Sequence, residues 1–135
     1  MDLREVGKPH VEHDGELRIS EDGAAQLALT DRSRVERMRL TVRGDGSPGI
    51  VLQDAASNAR VVLGLLPDET GQLVFADRQA ATRAVFGLSA EQTANLVFSD
   101  PTGQPRVALG VDRTGTSSIM LPGGEGSSDT TGGGS

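Results

Sequence analysis

The chain has 135 residues, the size of one domain with short tails, and it carries a formal net charge of −6. It contains 18 Gly and 6 Pro among short apolar runs, which favours β-structure with many turns. Three features exclude whole classes of function. The acidic charge argues against nucleic acid, which is bound through clustered Lys and Arg. The absence of Trp and Tyr removes stacking surfaces for bases, and the absence of Cys excludes disulfides and thiolate chemistry.

The first segment, MDLREVGKPHVEHDGE, is charged and has no apolar stretch, so it does not resemble a secretory signal. No part of the chain approaches the roughly 20 apolar residues of a membrane-spanning helix. We therefore expect a soluble protein without membrane insertion, located in the cytoplasm or within a larger particle. This segment also contains a cluster that could hold a divalent metal: His10, Glu12, His13 and Asp14. Because the cluster lies outside the repeats, we interpret it as a solvated arm and assign no metal.

An internal repeat of 23 residues organises the chain from about Glu16 to Leu121. Acidic residues recur at Asp31, Asp54, Asp77 and Asp100, and basic residues at Arg37, Arg60, Arg83 and Arg106. Glycines recur at Gly64, Gly87 and Gly110. Four apolar columns share the period, one of them being Leu17, Leu40, Leu63, Phe86 and Leu109. A period of this length predicts a repeat architecture.

Each repeat contains two short apolar runs with period-two alternation, such as RVVLGL (60–65) and QLVFAD (72–77). This alternation is typical of half-buried strands, so the sequence predicts an all-β fold of five two-stranded repeats, or ten strands. In an antiparallel meander, each Asp faces the Arg six residues later across its own turn, which favours pairing. In a β-solenoid, the same aspartates would stack about 4.8 Å apart and repel one another. We therefore predict a meander, with a β-solenoid or a ten-stranded barrel as alternatives.

The stretch VRGDGSPG (42–49) matches two known motifs. Arg43-Gly44-Asp45 is the tripeptide that integrins bind, and Gly44, Gly46 and Gly49 match the glycine pattern of dinucleotide-binding loops. A dinucleotide loop opens a helix, but this one precedes the strand-like run IVLQD. The other repeats place turn segments such as PDETGQ in the same register. We interpret the stretch as a turn between strands.

The predicted sheet has one fully apolar face, and nothing in the sequence predicts a helix that would cover it. Residues 1–15 read as a polar N-terminal arm, 16–121 as the β-repeat domain, and 122–135 as a flexible Gly/Ser-rich tail. Ten strands with one such face must close into a barrel or pack against copies of themselves, for example as an oligomeric β-prism. The predicted self-association face consists of Leu63, Leu65, Leu73, Phe75, Phe86, Leu88, Leu96 and Phe98.

The segments GDGSPGIVLQD, ARVVLGL and PRVALGVD, within residues 36–121, resemble repeat arrays of uncharacterised bacterial and phage-related proteins. That resemblance implies a structural repeat module, and it carries no catalytic residues with it.

The identical recurrence of the Asp and Arg columns argues against catalysis, because an active site is normally one asymmetric constellation. We expect no enzyme activity and no cofactor. The predicted function is that of a structural or assembly protein: a self-associating module of a larger particle, shell or fibre. Its partners would be copies of itself, with a trimer favoured, and other subunits of the assembly. The alternative is a monomeric barrel that binds an apolar ligand, since barrels of more than eight strands leave interior space.

Overall fold

A computed structural model of the chain describes residues 15–19 and 23–121, and this part is all-β. The predicted N-terminal arm and C-terminal tail lie outside the described residues, except that Gly15 begins the first strand. The strands are β1 (Gly15–Ile19), β2 (Ala25–Thr30), β3 (Glu36–Val42), β4 (Pro48–Gln53), β5 (Ala59–Leu65), β6 (Gly71–Ala76), β7 (Thr82–Leu88), β8 (Ala94–Ser99), β9 (Pro105–Val111) and β10 (Ser117–Met120).

The strands form a single sheet in the order β1 to β10, and every neighbouring pair is antiparallel. Contacts between described strands join consecutive strands alone, and β1 does not pair with β10. The predicted meander is therefore confirmed. The solenoid alternative is wrong because identical positions lie two strands apart, and the barrel alternative is wrong because the sheet is open.

All the turns that the structure describes from β2 onward share one geometry. In the turn from Asp54 to Asn58, the Ser57 amide donates to the Asp54 carbonyl, and the Asp54 amide donates to the Asn58 carbonyl. Ser57 has a φ of 70°, so the loop is a type I turn followed by one left-handed residue. Turns with this geometry also begin at Asp31, Arg43, Leu66, Asp77, Ser89, Asp100 and Asp112.

The stretch VRGDGSPG forms such a turn, as predicted. The Arg43 amide donates to the Ser47 carbonyl, and Gly46 occupies the left-handed position with a φ of 91°. The next element is β4, so the glycine pattern opens a strand and not a helix. Asp45 accepts hydrogen bonds from both the amide and the hydroxyl of Ser47. Its carboxylate therefore stabilises the turn from within.

A bulge explains why the repeat has an odd length. Gln53 pairs with Ala59, but Leu52 pairs with Val61, so Arg60 is an extra residue in β5. The same register shift occurs in β3, β7 and β9, and the extra residues are Arg37, Arg83 and Arg106. Turn starts consequently alternate between twelve and eleven residues apart, which together make the period of 23. The four bulges lie along one side of the sheet, here called the arginine rim; the turns of the second rim have no such shift.

Three of the bulged arginines, Arg37, Arg60 and Arg83, bind both neighbouring strand ends. The Arg60 Nε donates to the Ala76 carbonyl at 2.7 Å, and its guanidinium lies 3.5 Å from the Asp54 carboxylate. The other three predicted Asp–Arg pairs form with N–O distances of 3.1 to 3.6 Å. Because these arginines are partly exposed, solvent screens the ion pairs and each one contributes little to stability. Arg37, Arg60 and Arg83 also donate a hydrogen bond to the carbonyl at the end of the next strand.

Two of the repeating strand glycines, Gly64 and Gly87, mark close approaches of neighbouring backbones, and we expect Gly87→Ala to destabilise the fold. A Cβ at Gly87 would lie 2.5 Å from the Gly71 carbonyl oxygen and 2.9 Å from Gln72, whereas one at Gly110 would meet no atom nearer than 3.4 Å. Overpacking of this kind costs about 1–3 kcal/mol. Urea titration should therefore show a clear loss for Gly87→Ala and little change for Gly110→Ala. Equal losses would contradict the close-approach explanation.

Candidate functional site

The eight residues of the predicted self-association face lie on one face of the sheet, here called the apolar face. Across the central row, Leu63 pairs with Leu73, Leu73 with Phe86, and Phe86 with Leu96. Paired residues point to the same side of a sheet, and so do residues two apart along a strand. Leu65, Leu88, Phe75 and Phe98 therefore flank the central row on the same side.

The apolar side chains of this face remain accessible in the single chain. Phe86 is 55% exposed, Leu63 is 47% exposed, and Phe75, Leu88 and Phe98 are each 45% exposed. Ala28 is the one buried hydrophobic residue among those described. Within residues 15–19 and 23–121 no second layer packs on the sheet, so this part of the chain leaves a continuous apolar surface uncovered. A continuous exposed apolar surface that extends over several strands is characteristic of an interaction site.

A shallow groove crosses the apolar face between β4 and β8, with a volume of about 570 Å³. Small residues form its floor, among them Gly71 and Ala94, whereas Leu65, Phe86 and Leu88 rise beside it. The face is thus uneven, with ridges of large side chains next to depressions. A relief of this kind can interdigitate with another apolar surface, as the inner faces of packed sheets do.

The opposite face differs in character. A row of paired valines runs across its middle and consists of Val51, Val62, Val74, Val85 and Val97. Arg39 continues this row beside Val51, and its guanidinium contacts Glu36 and Gln53. Polar residues such as Gln72 and Asn95 alternate with the glycine positions in the adjacent row. All five valines are half-buried. This face therefore resembles an ordinary solvated sheet surface.

Aspartates in the turns have lowered pKa values, which predicts that the stability of the fold decreases at acidic pH. The pKa of Asp54 lies below its ordinary value of 3.8, chiefly because its carboxylate accepts a hydrogen bond from the Asn58 amide. The pKa values of Asp45 and Asp68 are also lowered, and the largest cause is the hydrogen bond that each carboxylate accepts from a hydroxyl, that of Ser47 and that of Thr70 respectively. The aspartates with lowered pKa values among the described residues are Asp31, Asp45, Asp54, Asp68, Asp77, Asp100 and Asp112.

Since these pKa values are lower in the folded state, the ionised carboxylates stabilise the fold above the unfolded value of about 3.8. This stabilisation is lost as the pH falls through the lower folded-state values. We expect the free energy of unfolding to drop steeply below about pH 4. In Asp54→Asn the Oδ1 acceptor is kept but cannot titrate, so the pH slope should be shallower. An unchanged slope in urea titrations from pH 2.5 to 6 would contradict this role.

Among residues 15–19 and 23–121 there is no helix with the length and apolar character needed to cross a membrane. The candidate metal ligands His10, Glu12, His13 and Asp14 lie outside the described residues. Within the described residues, no three or more His, Asp or Glu side chains gather as a metal site would require.

Comparison with known proteins adds no functional residue. No protein-family model matches the chain, and no curated protein is significantly similar to it. The resemblance to bacterial and phage-related repeat arrays therefore stays a prediction from the sequence. The eight residues predicted for self-association share one face of the sheet, and their role in association stays a prediction. Sequence reasoning missed the main-chain contacts of the bulged arginines. The odd repeat length was the available signal, because two strands with identical turns would otherwise give an even period.

Proposed function

We propose that this protein is a structural assembly module that self-associates through its apolar face, and that it has no catalytic role. The observation that supports this proposal is the single-layered sheet, in which Phe86 and its neighbours are about half exposed on one side. Burying such a side chain completely contributes about 1.5–3 kcal/mol. Six of the eight side chains of the apolar face are 38–55% exposed and still retain roughly 4–8 kcal/mol per copy for association, which is comparable to the cost of bringing copies together.

The strand length favours two or three copies around the apolar face. A seven-residue strand such as β5 is about 23 Å long. In a three-sided prism with sides of that length, the axis lies about 7 Å from each sheet, close to the roughly 5 Å that side chains fill in a sandwich. A four-sided prism would leave about 11 Å, too far for Leu and Phe to reach. We propose a trimeric prism in which the central row with Leu63, Leu73 and Phe86 faces the axis.

The alternative function, a monomeric barrel around an apolar ligand, needs a closed sheet. The described chain forms an open one. Other copies of the same chain can cover the apolar face, since cyclic symmetry brings an identical apolar face to every interface. We propose that the assembly then serves as part of a larger particle, shell or fibre, in contact with itself and with other subunits.

The mass of the wild-type protein in solution tests this proposal. Light scattering and sedimentation equilibrium at micromolar concentration should give three times the chain mass of 14.0 kDa. A mass of two chains would indicate a dimer packed as a face-to-face sandwich; it would contradict the trimer but support self-association. A stable monomer over the whole concentration range would contradict the proposed function.

A further inference from the structure

The two outer strands of the sheet, β1 and β10, each have one open edge. Within residues 15–19 and 23–121, no strand pairs with the outer edge of either. An open edge presents a row of backbone amides and carbonyls that another strand can bind. Either edge could therefore pair with a strand of another chain.

The rows of paired residues continue from one edge of the sheet to the other. Leu96 pairs with Leu109, and Leu109 with Ile119, which ends the central row at β10. At the other end the row begins with Leu17, which pairs with Leu27 in β2. If Ile119 of one copy were placed opposite Leu17 of the next, the pairing of Leu96 with Leu109 would simply be repeated. The number of strands is even, so this junction is antiparallel like all the others.

The backbone groups that point outward from the two edges also lie at matching positions. The Asp112 amide bonds to the Thr116 carbonyl, and antiparallel pairs alternate from there. By this alternation Ser118 bonds inward to β9, whereas the amide and carbonyl of Ile119 point to the open edge. Counting in the same way from the bond between Arg43 and Ser47, through β3 and β2, leaves the amide and carbonyl of Leu17 pointing outward from β1.

The edge at β10 lacks the features that keep other sheets from joining. Its sequence, SSIM, has no charged residue and no proline, and its pairing with β9 shows no register shift. Ile119 is 72% exposed and Met120 is 54% exposed. In the proposed register, Arg18 of the next copy lies opposite Ser118, and Glu16 lies opposite Met120, so no like charges meet.

From these observations we infer that β10 of one copy pairs antiparallel with β1 of a second copy, with Ile119 opposite Leu17. The sheet then continues from chain to chain. This contact joins two different surfaces and is heterologous, so it generates rows, rings or filaments in place of a closed dimer. It is independent of packing through the apolar face. Because it joins only one pair of short strands per copy, we expect it to be the weaker contact, which stacks prisms end to end only at concentrations above those at which trimers form.

Cross-linking tests the register directly, because the wild-type chain has no cysteine. Two preparations, Arg18→Cys and Ser118→Cys, are mixed and treated with a mild oxidant. These positions form a non-hydrogen-bonded pair with Cα atoms about 4.5 Å apart, within disulfide range. Arg18→Cys mixed with Met120→Cys is the matched control, since that diagonal spans about 7–8 Å. We expect about tenfold more covalent dimer from the matched pair than from the diagonal pair.

A proline at the edge provides the second arm. Ile119→Pro, combined with Ser118→Cys, removes an outward amide without removing a ladder bond to β9, so circular dichroism should be unchanged. We expect it to lower the yield of covalent dimer with Arg18→Cys about tenfold, through the lost hydrogen bond and the ring. Equal yields from matched and diagonal pairs, or a yield unaffected by Ile119→Pro, would overturn the inference.

The two proposals fail separately. If the solution mass is trimeric but the matched pair gives no excess of covalent dimer, edge pairing is wrong and packing through the apolar face stands. If the wild-type protein is monomeric at low concentration yet cross-links in the matched register, the reverse holds.

Discussion

Phe86→Asp is expected to dissociate the self-associated protein into single chains. Phe86 lies in the central row between Leu73 and Leu96, and its side chain is 55% exposed in the isolated sheet. A carboxylate at this position meets water in the monomer, so the cost to the single sheet is limited. In the assembly the same carboxylate would be buried among apolar side chains, at a cost of several kcal/mol per copy. The dissociation constant should rise by at least about a thousandfold.

Asn95→Asp is the matched control because it adds the same charge on the opposite face of the same sheet. Asn95 lies in β8 between two glycine positions, and Asp is nearly identical to Asn in shape. Sedimentation velocity should show the wild-type mass for Asn95→Asp and a mass near 14.0 kDa for Phe86→Asp. If both variants keep the assembled mass, the apolar face is not the interface. If both dissociate, net charge rather than the face controls association.

Deleting residues 54–76 should leave a folded protein with a shorter sheet. The deletion removes β5 and β6 and joins Gln53 to Asp77, which begins a turn of the arginine rim just as Asp54 does. Arg83 then supplies the bulge that Arg60 supplied, and every later strand keeps its direction and face. Because strands contact only their sequence neighbours, no distant contact is lost. We expect native-like circular dichroism and a lower melting temperature.

Deleting residues 54–65 should prevent folding, although it removes only about half as many residues. It joins Gln53 to Leu66, whose turn lacks the following bulge. Leu52 would then lie opposite Gln72 instead of an apolar partner. A slip of one residue moves every side chain to the other face, so the apolar face of β6 to β10 would join the polar face of β1 to β4. All later strands would also run in the reverse direction.

Circular dichroism, thermal melting and size-exclusion chromatography compare the two deletions. A cooperative transition for the longer deletion and none for the shorter one is the expected result. If both variants unfold at once, the repeats are not modular. If both fold equally well, the bulge does not set the facing of the strands.

The regular parts of this fold were predictable because they are local. Alternation in RVVLGL and QLVFAD predicts strands with Leu63 and Leu73 on the same side, and that pairing is present. Asp54 and Arg60, six residues apart, were expected to meet across a turn, and they do. Each of these predictions depends on residues within one hairpin.

Other features depend on how strands and copies pack against one another, which the 23-residue period does not specify. The columns place a glycine at the position of Gly87 in three repeats but cannot show how closely the Gly87 backbone approaches Gly71, because that distance follows from the twist of the assembled sheet. The bulge at Arg60 cannot be predicted from the alternation within one run, because it is a shift in pairing between two runs joined by a turn. For the candidate site, the sequence predicts which side chains form the apolar face. It cannot specify the geometry of the copies that would cover it.

The strictly consecutive order of the strands has a consequence for how the protein forms. Every strand finds its partner within one turn along the chain, so the contact order is low and no long loop must close before pairing is rewarded. A hairpin forms within about 1–10 μs, far faster than a ribosome adds the next repeat at about 5–20 residues per second. The sheet can therefore grow hairpin by hairpin as the chain emerges, and each added repeat exposes more of the apolar face before synthesis ends.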